Sequence, residues 1–544
     1  MLRKLPIGIQ GFVGLRNDGY IYVDKTDYIY QLRKNGKAYF LSRPRRFGKS
    51  LLLSTMKAYW QGKNKLFANL KIAELVELEG DNIDAWLPHP VFHFDFNGGF
   101  YSESFTGLES ILDEHLHYWE NEYNITPDAI KDYIENSRDN ELSNGLNDLG
   151  KRFRYLVMRA YQQTSRRVVV LVDEYDKPLL EVMEQPELEA HNKAVFKGFF
   201  GSLKPLDDFL EFVFITGVTK FEKVSIFSDL NQLNDISFHE DFSAICGITE
   251  NELQEYFAPE IEAIAQRRNI TITECLERLK KQYDGYHFHQ TGAGVYNPFS
   301  LLKAFFDKDF GSYWFSTGTP TFLVKAIVNS SFDIRKFTDN TLYANERMLS
   351  DYRADNPNLL PLLYQTGYLT IVDYDSISQE YTLSFPNREV KTGFLESLIP
   401  EYSINYNSGS GNDIFTFRRC VESGNLDGIR NILTALFASI PYTQHKSPFE
   451  HYFQSVIYIL FTLLGNYVMC EMHTVTGRID CIVKTSRFIY IFEFKRDGTV
   501  DEALKQIEDN KYALPFVADD RELYKIGVVF DSKERTLKDW NVAR

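Results

Sequence analysis

The sequence predicts an α/β chain of several domains, and three observations carry that prediction. Apolar runs of strand length alternate with long helical patterns through the first half. Those runs lack polar alternation, as strands covered by helices on both faces do. With 544 residues, 44% of them hydrophobic and 15% aromatic, the chain is too long for one core. It is apolar enough to fill about three or four.

Four runs read as strands in the first half: Ala38–Ser42, Val91–Phe96, Val168–Val172 and Phe212–Thr216. A fifth lies near Gln232–Phe238. From about 245 the pattern turns helical, and Thr249 with Glu252 makes a capping box for a helix through about Arg268. Residues 366–387 read as two strands around a polar turn, after a helical region. A small helical domain ending in a β-wing and an ordinary α+β hairpin both fit that pattern. The segment NYNSGSGND (405–413) has no apolar anchor and reads as a flexible tether. Beyond it come helices, three strands at about 467–472, 478–484 and 487–494, and a helix from about Val500. The implied division is 1–240, 241–400, a linker at 401–413, and 414–544.

The formal net charge of −15 argues against a surface that coats nucleic acid throughout, while leaving room for a local basic groove. Five cysteines (Cys246, Cys275, Cys420, Cys470, Cys481) form no C-x-x-C pair, which fits reduced thiols and disfavours structural zinc. The start has no signal-peptide run, and the longest apolar stretch, Val456–Leu464, falls far short of the roughly 20 residues that span a bilayer. A cytoplasmic protein without a membrane span is expected; its oligomeric state is left open.

The stretch YFLSRPRRFGKSLLLSTMKAYW places a strand, a tight loop and a helix in the order a phosphate-binding loop needs. Gly48 allows close backbone approach, Lys49 would reach the β and γ phosphates, and the Ser50 hydroxyl would ligate Mg²⁺. The loop and helix start together span Arg43, Arg45, Arg46, Phe47, Gly48, Lys49, Ser50 and Leu51. The usual pattern is G-x-x-x-x-G-K-[ST], and here Arg43 holds the first glycine position. Arg43 is therefore expected to narrow the cradle and add positive charge to it. Arg45 and Arg46 suit phosphate, nucleic acid or solvent equally. A GKS triplet alone fits a basic helix start as well.

A second element joins it. RRVVVLVDEYDKP (166–178) is an apolar strand ending in Asp173-Glu174. Asp173 would hold the Mg²⁺ water shell, and Glu174 would polarise an attacking water. Thr216, ending a later strand, suits a γ-phosphate sensor or a local backbone bond, with Lys220 a weaker candidate. The extra strand and the Glu after the Asp point to a P-loop NTPase of the additional-strand, catalytic-glutamate type. ATP and Mg²⁺ are the expected cofactors.

On these stretches, together with LPIGIQGFVGLRNDGYIYVDKT, FITGVTKF and IFSDLNQLNDIS, residues 5–240 resemble the AAA-ATPase-like family. That family shares the R-P-R-R-F-G-K-[ST] loop, so the missing glycine is a family trait. The resemblance continues through YDGYHF (283–288), VYNPFSLL (295–302) and LLYQTGYLTI (362–371), and implies a C-terminal nuclease-like domain.

In GRIDCIVKTSRFIYIFEFKRDG, Glu493 and Lys495 sit at i and i+2 of a strand and share a face. A hairpin turning at Thr485-Ser486 would put Asp480 opposite Ile491 and diagonal to Glu493. Two carboxylates and a lysine then converge, the donor set for a divalent metal with an activated water. Residues 415–535 resemble the PD-(D/E)xK nuclease superfamily, which implies a restriction-endonuclease-like α/β domain. Glu450 matches its first-helix acid, and Gln506 and Tyr512 its accessory positions. His93 reads as a satisfied core residue, and His287 with His289 lacks a third metal ligand.

The combined expectation is an ATPase coupled to a Mg²⁺-dependent nuclease acting on DNA or RNA. The alternative is a nucleotide-switched nucleic-acid-binding or signalling module without nuclease activity.

Overall fold

The computed structural model describes residues 3–80, 83–136, 146–220, 233–315, 342–350, 359–402, 412–438, 468–474, 477–531 and 536–543, with isolated positions between. Most of the 401–413 linker, and Glu450, lie outside the described residues. The chain forms two units, one from residues 1–314 and 343–389, the other from 315–342 and 390–544.

The first unit is built on a parallel sheet of five strands: β1 (Ala38–Ser42), β2 (Val91–Asp95), β3 (Val168–Asp173), β4 (Leu210–Gly217) and β5 (Asn234–Asp235). Their spatial order is β2-β3-β4-β1-β5, so β4 lies between the strand that feeds the loop and the strand that carries the acids. All six residues of β3 are buried, as its unbroken Val-Leu run requires. Phe92 and Phe94 of β2 pack against Trp119 and Phe153, with ring centroids 4.8–6.0 Å apart. Each such buried ring stabilises the fold by roughly 1.5–3 kcal/mol. β5 is shorter than the sequence suggests because its two residues are polar and exposed at the sheet edge.

Beyond the sheet, α2 (Glu250–Arg268) opens with the capping box of Thr249 and Glu252, both halves formed; the helix α1 (Lys49–Trp60) follows β1. Asn269, with φ +52°, ends α2 in the left-handed conformation that asparagine tolerates. A short helix, α3 (Leu360–Gln365), leads into the antiparallel hairpin of β6 (Thr370–Asp375) and β7 (Glu380–Ser384). No helix among the described residues is long and apolar enough to cross a membrane.

The second unit carries a five-stranded sheet ordered β8 (Val468–Thr474), β9 (Gly477–Lys484), β10 (Phe488–Arg496), β11 (Glu522–Asp531) and β12 (Thr536–Ala543). Only β10 and β11 run parallel, so the chain must cross over between them. Helix α4 (Val500–Asp509), capped by Thr499 and Glu502, lies in that crossover. It buries Ile507 against Ile482, Ile489 and Ile491.

Candidate functional site

The candidate phosphate loop connects β1 to α1 across residues 43–48. Gly48 has φ +94°, a backbone state strained for other residues, although an added β-carbon would meet open space. Glycine is thus required for conformation, not for room. Lys49 is buried, and its ammonium donates to the carbonyls of Arg43 (2.9 Å) and Pro44 (3.1 Å). Ser50 and Leu51 begin the helix behind it.

Arg43 departs from expectation. It is 1% exposed, and its guanidinium donates to the carbonyls of Ser42, Ser237 and Phe242, each at 2.9 Å. It also lies 4.0 Å from the Phe288 ring centroid. The side chain therefore fills a carbonyl-lined socket in the protein, and the charge expected in the cradle is spent there. Sequence could not show this because two of the three acceptors, Ser237 and Phe242, lie about two hundred residues downstream.

At the tip of β3, Asp173 is buried and accepts from the Thr216 hydroxyl at 2.7 Å and from the Glu174 amide at 3.1 Å. Thr216 thus braces Asp173 across the sheet, with only a longer approach to the Val172 carbonyl at 3.4 Å. Glu174 sits at φ +50°, an uncommon state for a non-glycine residue and frequent at functional sites. Burial raises its pKa, and the nearby Lys49 charge opposes that rise. Lys220 pairs with Asp235. Asp176, passed over in the sequence, is buried and accepts from the amides of Val218 and Thr219 and from the Thr219 hydroxyl. The third acid of VDEYDKP was its only signal.

Beside the loop lies an apolar cleft of about 100 Å³, lined by Ile21, Val23, Phe47, Leu51, Ile248 and Leu302 among others. Its walls come from parts of the chain as far apart as Pro6 and Leu302, so no local pattern announces it. His93 also differs from the core reading: its Nε2 has no partner among the described residues. Burial and the neighbouring Lys57 push its pKa down to about 4, which keeps it neutral.

In the second unit the β9–β10 register pairs Cys481 with Phe492 and Lys484 with Ile489. The turn is therefore Ser486-Arg487, one residue later than expected, and one more step of the ladder sets Asp480 directly opposite Glu493. Thr485 forces this, since its hydroxyl accepts from the amides of Arg487 and Phe488. The shift preserves parity, so the acids still converge. Asp480 Oδ2 accepts from the Phe494 amide at 2.9 Å. Lys495 donates to Glu493 Oε1 at 3.2 Å and to the Gln506 side-chain oxygen. Tyr512 receives the Asn510 amide at 2.9 Å and lies 3.5 Å from that of Gln506. Glu493 is 1% exposed, and its Oε2 has no partner among the described residues. Burial, then the charge of Asp480, pushes its pKa up to about 7. Among the described residues no group of three or more His, Cys, Asp or Glu side chains gathers as a metal cage.

Residues 6–227 match the family model described as "Predicted AAA-ATPase", and residues 448–540 match that of the PD-(D/E)XK nuclease superfamily. The chain is also 35% identical over 551 residues, 98% of each chain, to a protein of Azotobacter chroococcum mcd 1 described as "Uncharacterized protein in vnfD 5'region". The chain belongs to the AAA-ATPase-like family, with a C-terminal PD-(D/E)XK nuclease superfamily domain. No solved structure matches it.

In this AAA-ATPase-like protein, Glu493 sets a testable pH dependence. Its unfolded form ionises near 4.5 and its folded form near 7, so the folded state holds the proton through that window. Stability of the metal-free second unit should fall as pH rises from about 4.5 to 7, by something on the order of 3 kcal/mol. Glu493→Gln should flatten that slope and raise the melting temperature at pH 8. Calorimetry of both proteins in chelator at pH 5 and pH 8 checks this; equal slopes would contradict it.

Proposed function

We propose that this chain is an Mg²⁺-dependent ATPase whose C-terminal domain is a metal-dependent nuclease acting on the phosphodiester bonds of DNA or RNA. The observation that carries the first half is the placement of Lys49 beside the acid pair Asp173-Glu174 at the carboxyl ends of parallel strands. The order β5-β1-β4-β3-β2, with β4 between loop strand and acid strand, supports the additional-strand, catalytic-glutamate type. In this reading the amides at the start of α1 receive the phosphates, and Lys49 exchanges two carbonyls for phosphate oxygens. Ser50 and Asp173 would hold Mg²⁺, Glu174 would orient the water, and Thr216 would keep Asp173 in place. The apolar cleft suits the flat face of adenine against Phe47 and Leu51. Arg45 and Arg46 remain the cationic flank of the loop.

For the second half, an orphaned carboxylate oxygen on buried Glu493, beside Asp480, is the kind of acceptor that a cation satisfies. Asp480 and Glu493 would hold a divalent metal, with Glu450 as a further acid. When bound, that metal supplies charge that favours a water nucleophile and the developing phosphorane charge. Lys495, steered by Gln506, would position the water or balance charge. The helices and hairpin of 241–400 are consistent with a winged-helix-like relay, and a cytoplasmic setting suits the reduced thiols.

Glu174→Gln tests the ATPase half. It should still bind Mg·ATP while phosphate release falls by about 10²-fold or more, the scale of losing a water-orienting base. Unchanged turnover would remove the catalytic role from Glu174. Nucleotide-dependent binding of nucleic acid without cleavage would favour the switch alternative.

A further inference from the structure

The residues that replace small ones in the phosphate loop each meet a different partner from residues 286–367 of the same unit. Arg43 lies on the Phe288 ring, and Arg46 is 4.7 Å from the Phe299 centroid. Phe47 meets Tyr286 edge-on at 4.7 Å. Pro44 abuts Gly367, where an added side chain would come within 2.7 Å of it. The Arg45 carbonyl accepts from the Trp314 indole at 3.4 Å. A loop built of small residues would lack the four side-chain contacts and keep only the backbone bond to Trp314.

Trp314 has a particular place in the chain. It is the last residue of the first unit before the chain enters the second at Phe315. Glu389 is the last before the second entry, at Val390. The buried Glu389 carboxylate accepts from the amides of both Tyr313 and Trp314, the latter at 2.9 Å. One buried carboxylate thus clasps the two points where the chain enters the second unit, and one indole joins that clasp to the loop. Trp314 is further fixed against Tyr368, 5.2 Å away, next to the Gly367 that Pro44 touches.

Resting on the nucleotide-binding reading above, we propose that the R-P-R-R-F segment is a transmission surface, and that Trp314 and Glu389 report phosphate-site occupancy to the second unit. The Lys49 ammonium holds the carbonyls of Arg43 and Pro44. Triphosphate draws that ammonium away, and the freed peptide groups reorient. The adjoining Arg45 carbonyl is the acceptor of Trp314, so its movement reaches the Glu389 clasp. Both chain entries into the second unit then change their order together. Trp314 and Glu389 are positioning residues in this scheme and touch no substrate.

The test is amide hydrogen exchange over residues 390–398 in the full-length protein, with and without Mg²⁺ and a β,γ-imido ATP analogue at saturation. Binding is measured separately by calorimetry. In the wild type, exchange there should change by about fivefold or more on binding, the lower range of coupling between sites. Glu389→Gln keeps an acceptor and lies outside the nucleotide site, so it should bind the analogue as the wild type does yet lose the exchange response. Trp314→Phe keeps a ring on Tyr368 and removes the indole donor; it too should lose the response at saturation. Thermal melts establish that both variants fold, and either one suffices. Wild type that binds the analogue with no exchange change at 390–398, or variants that retain the change, would overturn the transmission role. Wild type that fails to bind would instead overturn the nucleotide reading on which it rests.

Discussion

Asp480→Ala and Lys495→Ala are each expected to abolish nucleic-acid cleavage, with rates down by about 10³-fold, the scale of removing one preorganised charge from a reaction centre. The two act differently. Asp480 is one of two converging carboxylates, and its Oδ2 is also fixed by the Phe494 amide. Its loss removes one of the two carboxylates proposed above as metal donors and should weaken metal binding directly. Lys495 lies between Glu493 and Gln506. Its loss leaves Glu493 buried beside Asp480 without the Lys495 charge that offsets the repulsion, so the Glu493 proton should be held to higher pH. Metal binding in Lys495→Ala should therefore recover partly on raising the pH, whereas in Asp480→Ala it should not. Labelled single- and double-stranded DNA and RNA, with Mg²⁺ or Mn²⁺, provide the assay. Cleavage that survives in both variants would remove the nuclease assignment.

Lys49→Ala is the second large effect. Charge-assisted bonds to phosphate are the strong ones, and losing the ammonium proposed to make them should cost about 3–4 kcal/mol, or about 10²–10³-fold in affinity. The fold should suffer far less. Among the described residues Lys49 gives two hydrogen bonds, both to loop carbonyls. Lys49→Met keeps most of the buried stem and should melt within a few degrees of the wild type. Loss of binding with the melt preserved would separate a ligand contact from a structural one.

Much of this arrangement was legible where the signal is local. β1 begins and ends at the residues its apolar run marks, and α2 begins at its capping box and ends at Arg268. Capping, turn chemistry and strand burial act over a few residues, so the sequence displays them. The convergence of Asp480, Glu493 and Lys495 was legible through strand parity, although the hairpin register was not. One hydroxyl, that of Thr485, moved the turn by a residue. The direction of Arg43 was not legible, because its carbonyl socket is assembled from Ser237 and Phe242. The same holds for YDGYHF, whose Tyr286 and Phe288 back the phosphate loop against Phe47. The bracing of Asp173 by Thr216 is a contact between neighbouring strands, and strand order is a property of the whole sheet.

Nucleotide binding is the claim on which the coupling, the ATPase reading and the role of the arginine-rich loop all depend. Its most direct test is calorimetric titration of Mg·ATP into the full-length protein and into Lys49→Ala. Saturable binding at one site per chain, lost in the variant, is the predicted result. No binding by the wild type, or equal binding by Lys49→Ala, would contradict it.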